Sequence, residues 1–284
     1  MSGNLSRSMR ENYDTHGVDE YYKIVGSSYL RWWQHERQPS EKGVLVCDLA
    51  CGSGEVTVAL QEWWAACQNQ NQLALSVPNP TIPRPPVPRP VVSPLRPAAP
   101  PAPVTRPAIS RPQAPTFPRI SPTEPPLRIV ATDPYTSDAY RARTGLPCIA
   151  MSFHDVAVEG LPDSSTVLVV GEDEAGDEDE STTGDEKIES GADSHPEDRE
   201  PYDLVVCSFA LHLLTTPGSL YELLSALSYG ARWLVVLEPH KKPEIKEGWG
   251  WTLWDMTAWQ ETQGREGEFV KERVHCRVYK STNL

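Results

Sequence analysis

Short apolar runs alternating with helical periodicities organise this chain. Residues 43–50 (GVLVCDLA) form a compact apolar run that ends in a glycine-rich turn. Beyond the turn, Val56, Leu60, Trp63, Trp64 and Cys67 recur at the spacing of one helical face. Residues 127–133, 147–155, 202–209 and 232–239 are further apolar runs of strand length. Between the last two, Thr216 and Pro217 supply a cap and a first-turn proline, and Leu220, Leu223, Leu224 and Leu227 a buried helical face. Near the end, Val274, Cys276 and Val278 alternate with Arg273, His275 and Arg277, the period of a half-exposed strand. Near-continuous apolar strands separated by helices predict a buried parallel sheet, and the alternating one an antiparallel addition at its edge. The expected fold class is α/β, a doubly wound, mostly parallel, seven-stranded sheet with an antiparallel edge strand.

Two stretches break this pattern. Residues 78–126 hold 19 of the 28 prolines, with six arginines against Glu124 as the one acid. Proline removes backbone donors and fixes φ, so neither helix nor central strand survives there. Residues 171–200 hold 14 acidic residues against Lys187 and Arg199, which accounts for most of the net charge of −13. Both read as disordered insertions into one domain, because neither can bury enough apolar surface to offset its ordering entropy. The organisation expected is an N-terminal helical lid or pre-domain segment over 1–42, then a catalytic domain over 43–284 interrupted at 78–126 and 171–200. Runs such as residues 83–90 (PRPPVPRP) also fit a proline-reading adaptor domain as partner.

Several classes drop out. The longest apolar run, 204–214, has 11 residues and contains Ser208 and His212, too short and too polar for a membrane span. The six cysteines include no CxxC pair and read as reduced thiols of a cytoplasmic or nuclear protein. The start lacks a basic segment followed by an apolar core, so no signal peptide is expected. No metal-ligand set is assigned.

The strand–turn–helix at Asp48-Leu-Ala-Cys-Gly-Ser-Gly54 is where the chemistry concentrates. Gly52 and Gly54 allow a sharp turn and leave the main chain open to a ligand. Ligands of open α/β sheets bind outside the carboxyl ends of the strands. The turn lacks the third glycine of GxGxxG and the lysine of a phosphate loop. Asp48 inside the strand would repel a diphosphate and suits a cationic ligand instead. Asp133 ends the second run, placed for ribose hydroxyls, and Asp155 ends the third, able to accept from an adenine amino group.

Three carboxylates at consecutive strand ends, with this GxG turn, resemble the class I (Rossmann-like) S-adenosylmethionine-dependent methyltransferases, here of a fungal type. The resemblance rests on residues 48–54 (DLACGSG), 131–135 (ATDPY), 152–155 (SFHD), 202–209 (YDLVVCSF) and 234–239 (LVVLEP), five motifs in order. It implies a class I methyltransferase-like fold and S-adenosylmethionine as cofactor. Carried over to these positions, it implies that Ala50, Gly52 and Gly54 pack against the methionine and ribose part, while Asp48 orients the amino group. It also implies that Asp133 and Pro134 meet the ribose, Phe153 and Asp155 the adenine, and Ser208 and Phe209 the methyl-donating end.

The acceptor is less legible. The sequence CSFA at 207–210 differs from the Asn/Asp-Pro-Pro-aromatic motif of the amine- and amide-methylating branches. The following Leu211-His212 resembles versions seen in small-molecule and some transfer-RNA methyltransferases. His212 is the catalytic candidate, as a base, or else a residue packing the helix start. Substrate-pocket candidates are Tyr22 and Tyr29 on the first helix, with Tyr13 before it, and His240, followed by Lys241 and Lys242. Trp249 joins them, from a run that also holds Trp251, Trp254 and Trp259 near a small edge helix. A small-molecule acceptor is favoured over RNA or protein, with RNA possible through those lysines and aromatics. Two alternatives stand: a noncatalytic methyltransferase-like module that docks partners through its Pro-rich loop, and a nucleotide-dependent oxidoreductase, which the missing glycine disfavours.

Overall fold

The computed structural model describes residues 18–37, 42–76, 120, 124–164, 199–239, 243–262, 264, 267–271 and 274–284. In chain order these form α1 (Val18–His35), β1 (Leu45–Leu49), α2 (Glu55–Ser76), β2 (Arg128–Thr132), α3 (Ser137–Thr144), β3 (Cys148–Ile149) and α4 (Phe153–Glu159). There follow β4 (Tyr202–Ser208), α5 (Pro217–Gly230), β5 (Ala231–Pro239), β6 (Trp251–Asp255), β7 (Gln260–Glu261), β8 (Phe269–Lys271) and β9 (Val274–Ser281). The sheet order is β3-β2-β1-β4-β5-β9-β6-β7, with β8 paired to β9. From β3 through β5 all neighbours are parallel, and β9 runs antiparallel to both β5 and β6. This is the doubly wound, mostly parallel sheet expected, with the short β7 and β8 added to its seven strands.

Strand alternation sends successive side chains to opposite faces. Val46, Val206, Val235 and Leu237 face one layer with Val56, Leu60 and Trp63 of α2 and Val25, Tyr29, Trp32 and Trp33 of α1. Leu45, Cys47, Leu49, Val205 and Val236 face the other, with Val156 of α4 and Leu220, Leu223, Leu224 and Leu227 of α5. The residues of α1 therefore share one core with the sheet. Arg31 Nη2 also donates to Thr257 O at 2.7 Å, and Trp259 Nε1 to Glu36 Oε1 at 2.8 Å, tying α1 to the turn after β6.

Three sequence expectations need correction. The run 147–155 is strand only at Cys148–Ile149; Ser152 caps α4, so the chain turns before Asp155 is reached. The alternating strand β9 is not the edge, because β6 pairs with its outer side. Its polar positions are covered and bonded: Arg277 Nη1 donates to Pro243 O at 3.0 Å, and His275 pairs with Glu268 at 2.8 Å. The tryptophan-rich stretch is a strand rather than a small edge helix, and Trp251 is buried with Nε1 donating to Leu224 O at 2.8 Å.

Most of 78–126 and 171–200 lies outside the described residues. Their described ends are tied to the domain. Ile120 is buried in the α1–α2 layer, and Glu124 pairs with Arg37. Glu200 accepts from Arg128 Nη1 and Nη2 at 3.1 and 2.8 Å, a two-point contact at the start of β2. Among the described residues, no helix is long and apolar enough to cross a membrane, and no group of three or more His, Cys, Asp or Glu side chains could hold a metal ion.

Candidate active site

The loop after β1 is held in left-handed backbone. Ala50, Gly52 and Gly54 have φ of 55°, 56° and 92°. Cys51 N donates to Thr132 O at 3.0 Å, and Gly52 N to Asp133 Oδ2 at 3.3 Å, which fastens the loop to the end of β2. The two glycines differ in what they face. A Cβ on Gly52 would meet only Glu55 Oε2 at 3.6 Å, so that side of the main chain is open to close approach. A Cβ on Gly54 would lie 2.4 Å from Thr144 Cγ2 and 3.0 Å from the Tyr140 ring. Gly54 thus admits α3 against the loop, a packing role beside the cofactor role that the resemblance implies.

Asp48 is fully buried. Its Oδ2 accepts from Thr57 Oγ1 at 2.7 Å, and Thr57 shares a 2.9 Å hydrogen bond with Tyr140 OH. Asp48 Oδ1 is buried with no hydrogen-bond partner among the described residues. Burial pushes the Asp48 carboxyl up to about 7, opposed by the Thr57 hydrogen bonds. Asp133 uses Oδ1 to accept from Tyr135 N and Thr136 N at 2.8 and 3.0 Å, so its carboxylate is fixed at the strand end by backbone. Glu55, in the first turn of α2, accepts from Arg143 at 2.9 Å and is bonded to Ser53 Oγ. Three carboxylates therefore surround the turn, where a phosphate loop would present only donors.

At the exits of β4 and β5 a second group assembles. Ser208 ends β4, and Phe209 after it has φ 54°, its N donating to Leu237 O at 2.8 Å. Ala50 and Phe209 are thus non-glycine left-handed residues at two strand exits of the same sheet, a form of strain that concentrates at functional sites. His212 Nδ1 lies 2.9 Å from Glu238 Oε2. The Glu238 side chain has no exposed surface, whereas that of His212 is 45% exposed. Burial raises the Glu238 carboxyl, and the hydrogen bond with His212 opposes the rise. The second oxygen, Oε1, is buried with no hydrogen-bond partner among the described residues.

The sequence-derived residues separate accordingly. Asp48, Ala50, Gly52, Gly54 and Asp133 come together at the β1 and β2 ends, with Pro134 exposed beside them. Ser208, Phe209 and His212 gather at the β4 end. Phe153 and Asp155 sit in the first turn of α4, where Asp155 Oδ2 accepts from Ser152 N and Oγ at 2.8 Å each. That capping bond holds the Asp155 carboxyl below the usual range. Tyr29 is a core residue, not a pocket residue: it is fully buried, 4.6 Å from Trp63 and 5.5 Å from Trp32 between ring centroids. Its helical spacing with Val25, Trp32 and Trp33 puts it on the face of α1 that meets the sheet. Trp249 packs edge-on against Tyr221 of α5 at 5.8 Å, with Lys246 over its ring. Tyr22 lies in α1 with its side chain outside the described set, and Tyr13, His240, Lys241 and Lys242 lie outside the described residues. Sequence reasoning missed Thr57, Tyr140 and Glu238, whose roles depend on burial, and Tyr135, which is 91% exposed next to Asp133. A cavity of about 740 Å³ lies elsewhere, lined by Trp251, Leu253, Arg277 and Tyr279 among others.

A protein of Schizosaccharomyces pombe, itself uncharacterized, is 36% identical over 298 residues, covering 99% of this chain and 95% of its own length. The chain belongs to that protein's family. No established family profile matches the sequence. Among solved structures, the chain is similar to magnesium protoporphyrin IX methyltransferase of Synechocystis PCC 6803 with bound S-adenosylmethionine (11% identity, TM-score 0.39, 98% of this chain and 99% of that one). It is also similar to a TehB-like S-adenosylmethionine-dependent methyltransferase of Corynebacterium glutamicum (10% identity, TM-score 0.41, 96% of this chain and 95% of that one). The strand order of the sheet is that of the doubly wound, mostly parallel α/β class expected from the sequence.

Proposed function

We propose that this protein transfers the methyl group of S-adenosylmethionine to an acceptor, a small molecule in preference to RNA or protein. The observation that carries the reading is Asp48, a fully buried carboxylate with one unpartnered oxygen beneath an open glycine turn. Such an oxygen is costly unless a donor reaches it, and a cationic amino group is the donor that also restores its charge. Together with Asp133 and Glu55 it makes the turn hostile to a diphosphate, which disfavours a dinucleotide. The residues fit the cofactor. Asp48 would hold its amino group, Gly52 would lie against the adjoining chain, and Asp133 would accept from the ribose hydroxyls. Asp155 retains Oδ1 for an adenine amino group beside Phe153.

When bound, the cofactor supplies an electrophilic methyl group on a sulfonium sulfur. Ser208, Phe209 and His212 then face the acceptor side. With the Glu238 carboxylate accepting from Nδ1–H, the lone pair of the His212 ring is left on Nε2. That nitrogen takes a proton from an acceptor O–H or N–H, while Glu238 acts as a positioning residue. Catalysis beyond this is alignment of nucleophile and methyl group.

Calorimetric titration with S-adenosylhomocysteine tests the reading. Asp133→Asn keeps an acceptor for the Tyr135 and Thr136 amides and should weaken binding by about 1–3 kcal/mol. His212→Ala, on the acceptor side, should leave that affinity within about 0.5 kcal/mol of the parent. A folded parent protein that releases no heat and shows no thermal shift with S-adenosylhomocysteine would overturn it.

A further inference from the structure

Two cysteines meet above the proposed cofactor site. Cys51 Sγ lies 3.5 Å from Cys148 Sγ, across the end of β2. Cys51 is the middle of the glycine turn, between Ala50 and Gly52, both in left-handed backbone. Cys148 opens β3 and pairs in register with Ala131, while Cys51 N bonds Thr132 O of the same strand. Cys51 is buried, as are the other four cysteines, Cys47, Cys67, Cys207 and Cys276, whereas Cys148 is half-buried.

The environments of the six thiols differ in sign. Burial raises Cys47 and Cys207, pushes Cys67 up to about 11 and pushes Cys276 up to about 12. The contact with Cys148, followed by burial, raises Cys51. Cys148 alone is lowered, by its hydrogen-bonded contact with the Cys51 thiol, and Cys148 is only partly buried. A partly exposed thiol lowered by contact with a second thiol is the arrangement that oxidises selectively.

We propose that Cys148 is a site of oxidation by hydroperoxides and that Cys51 resolves it as an intramolecular disulfide, which shuts the cofactor turn. The Cys148 thiolate attacks the peroxide: an S–O bond forms, the O–O bond breaks, and the departing oxygen takes a proton to leave as alcohol, or as water from hydrogen peroxide. Cys51 then attacks the sulfenic sulfur: the S–S bond forms, the S–O bond breaks, and hydroxide leaves as water with the Cys51 proton. Two thiols lose two electrons and two protons, and the peroxide takes up both.

Closing from 3.5 Å to a disulfide bond of about 2.05 Å draws the sulfurs together by about 1.5 Å. The neighbouring residue Gly52 donates to Asp133, so moving Cys51 moves the open face of the turn and its anchor together. The effect on the cofactor rests on the proposed function; the disulfide itself does not.

The experiment treats the full chain with hydrogen peroxide, alkylates it, and compares non-reducing and reducing peptide maps by mass spectrometry. The expected result is a Cys51–Cys148 cross-link, loss of two of the six free thiols, and recovery with dithiothreitol. Affinity for S-adenosylhomocysteine should fall roughly tenfold or more in the cross-linked protein and return on reduction, because the turn is no longer preorganised. Cys148→Ser should yield no cross-link and keep its affinity through the same treatment. Absence of the cross-link in the parent protein overturns the proposal, as does a cross-linked protein that binds as tightly as the reduced one. Reduced protein that binds no S-adenosylhomocysteine overturns both the proposed function and the gating of the turn, while the peptide map still decides the disulfide.

Discussion

Gly54→Ala is expected to lower the free energy of unfolding by about 3 kcal/mol, from left-handed backbone and overpacking together. The φ of 92° makes any Cβ unfavourable, and here the Cβ also falls 2.4 Å from Thr144 Cγ2 and 3.0 Å from the Tyr140 ring. Neither neighbour yields easily. Thr144 Oγ1 donates to Tyr140 O at 2.8 Å, and Tyr140 is fully buried with its hydroxyl bonded to Thr57. Gly52→Ala is the matched control, with similar backbone but open space around its Cβ, and should cost only about 1–2 kcal/mol. Its added methyl instead stands where the cofactor would lie, so its larger effect should be on S-adenosylhomocysteine affinity. Urea denaturation and calorimetry on both variants read the two effects apart. Equal stability losses for the two would remove Gly54 from the α3 contact.

That division between the two glycines marks how far sequence reasoning reached. The apolar runs of β1, β2, β4 and β5 could be read because parallel strands buried on both faces leave little ambiguity of period. The face of α5 could be read for the same reason, with Leu220, Leu223, Leu224 and Leu227 all buried. Misreadings came where local chemistry overrode pattern. At 147–155, Ser152 and Asp155 form a reciprocal cap, and a helix start replaced the end of a strand. In β9, alternating Arg and His positions imitate a solvent face, yet they are enclosed polar groups with partners supplied from 243 and 268. The positions of Asp48, Asp133 and Ser208 were legible because each stands at the end of a buried apolar run. Thr57 and Tyr140 were not, since a threonine in a helix and a tyrosine in another carry no sign that they meet over one buried carboxylate. Glu238 stood in a motif, but its pairing with His212 joins the ends of two strands.

The same buried carboxylate yields the other large prediction. Asp48→Asn should weaken S-adenosylhomocysteine binding roughly 10- to 100-fold while making the folded protein more stable at alkaline pH. Its carboxyl titrates near 3.9 when unfolded and is pushed up to about 7 when folded, with burial as the largest cause. A raised acid stabilises the fold fully below the unfolded value, and that contribution is lost as pH climbs through the folded one. The three-unit difference amounts to about 4 kcal/mol, withdrawn between about pH 4 and pH 7. Asparagine does not titrate, so it escapes that loss, although its amide N–H group takes the place of the unpartnered oxygen and costs about 1–3 kcal/mol at every pH. The stability curves should therefore cross: the variant is weaker near pH 4 and stronger by about 1–3 kcal/mol at pH 8. Denaturant titrations at the two pH values decide it, and a constant difference between the proteins would mean that Asp48 is not the raised group. Binding should carry the opposite sign. A cationic amino group favours the ionised carboxylate, so parent affinity should climb from pH 6 to 8 and protons should be released on binding near neutrality. Calorimetry in two buffers of different ionisation enthalpy counts those protons, and the variant should release none from this position. A residue that lowers the stability of the empty protein and raises its affinity for a cation acts in binding, and under the proposed function Asp48 would do both.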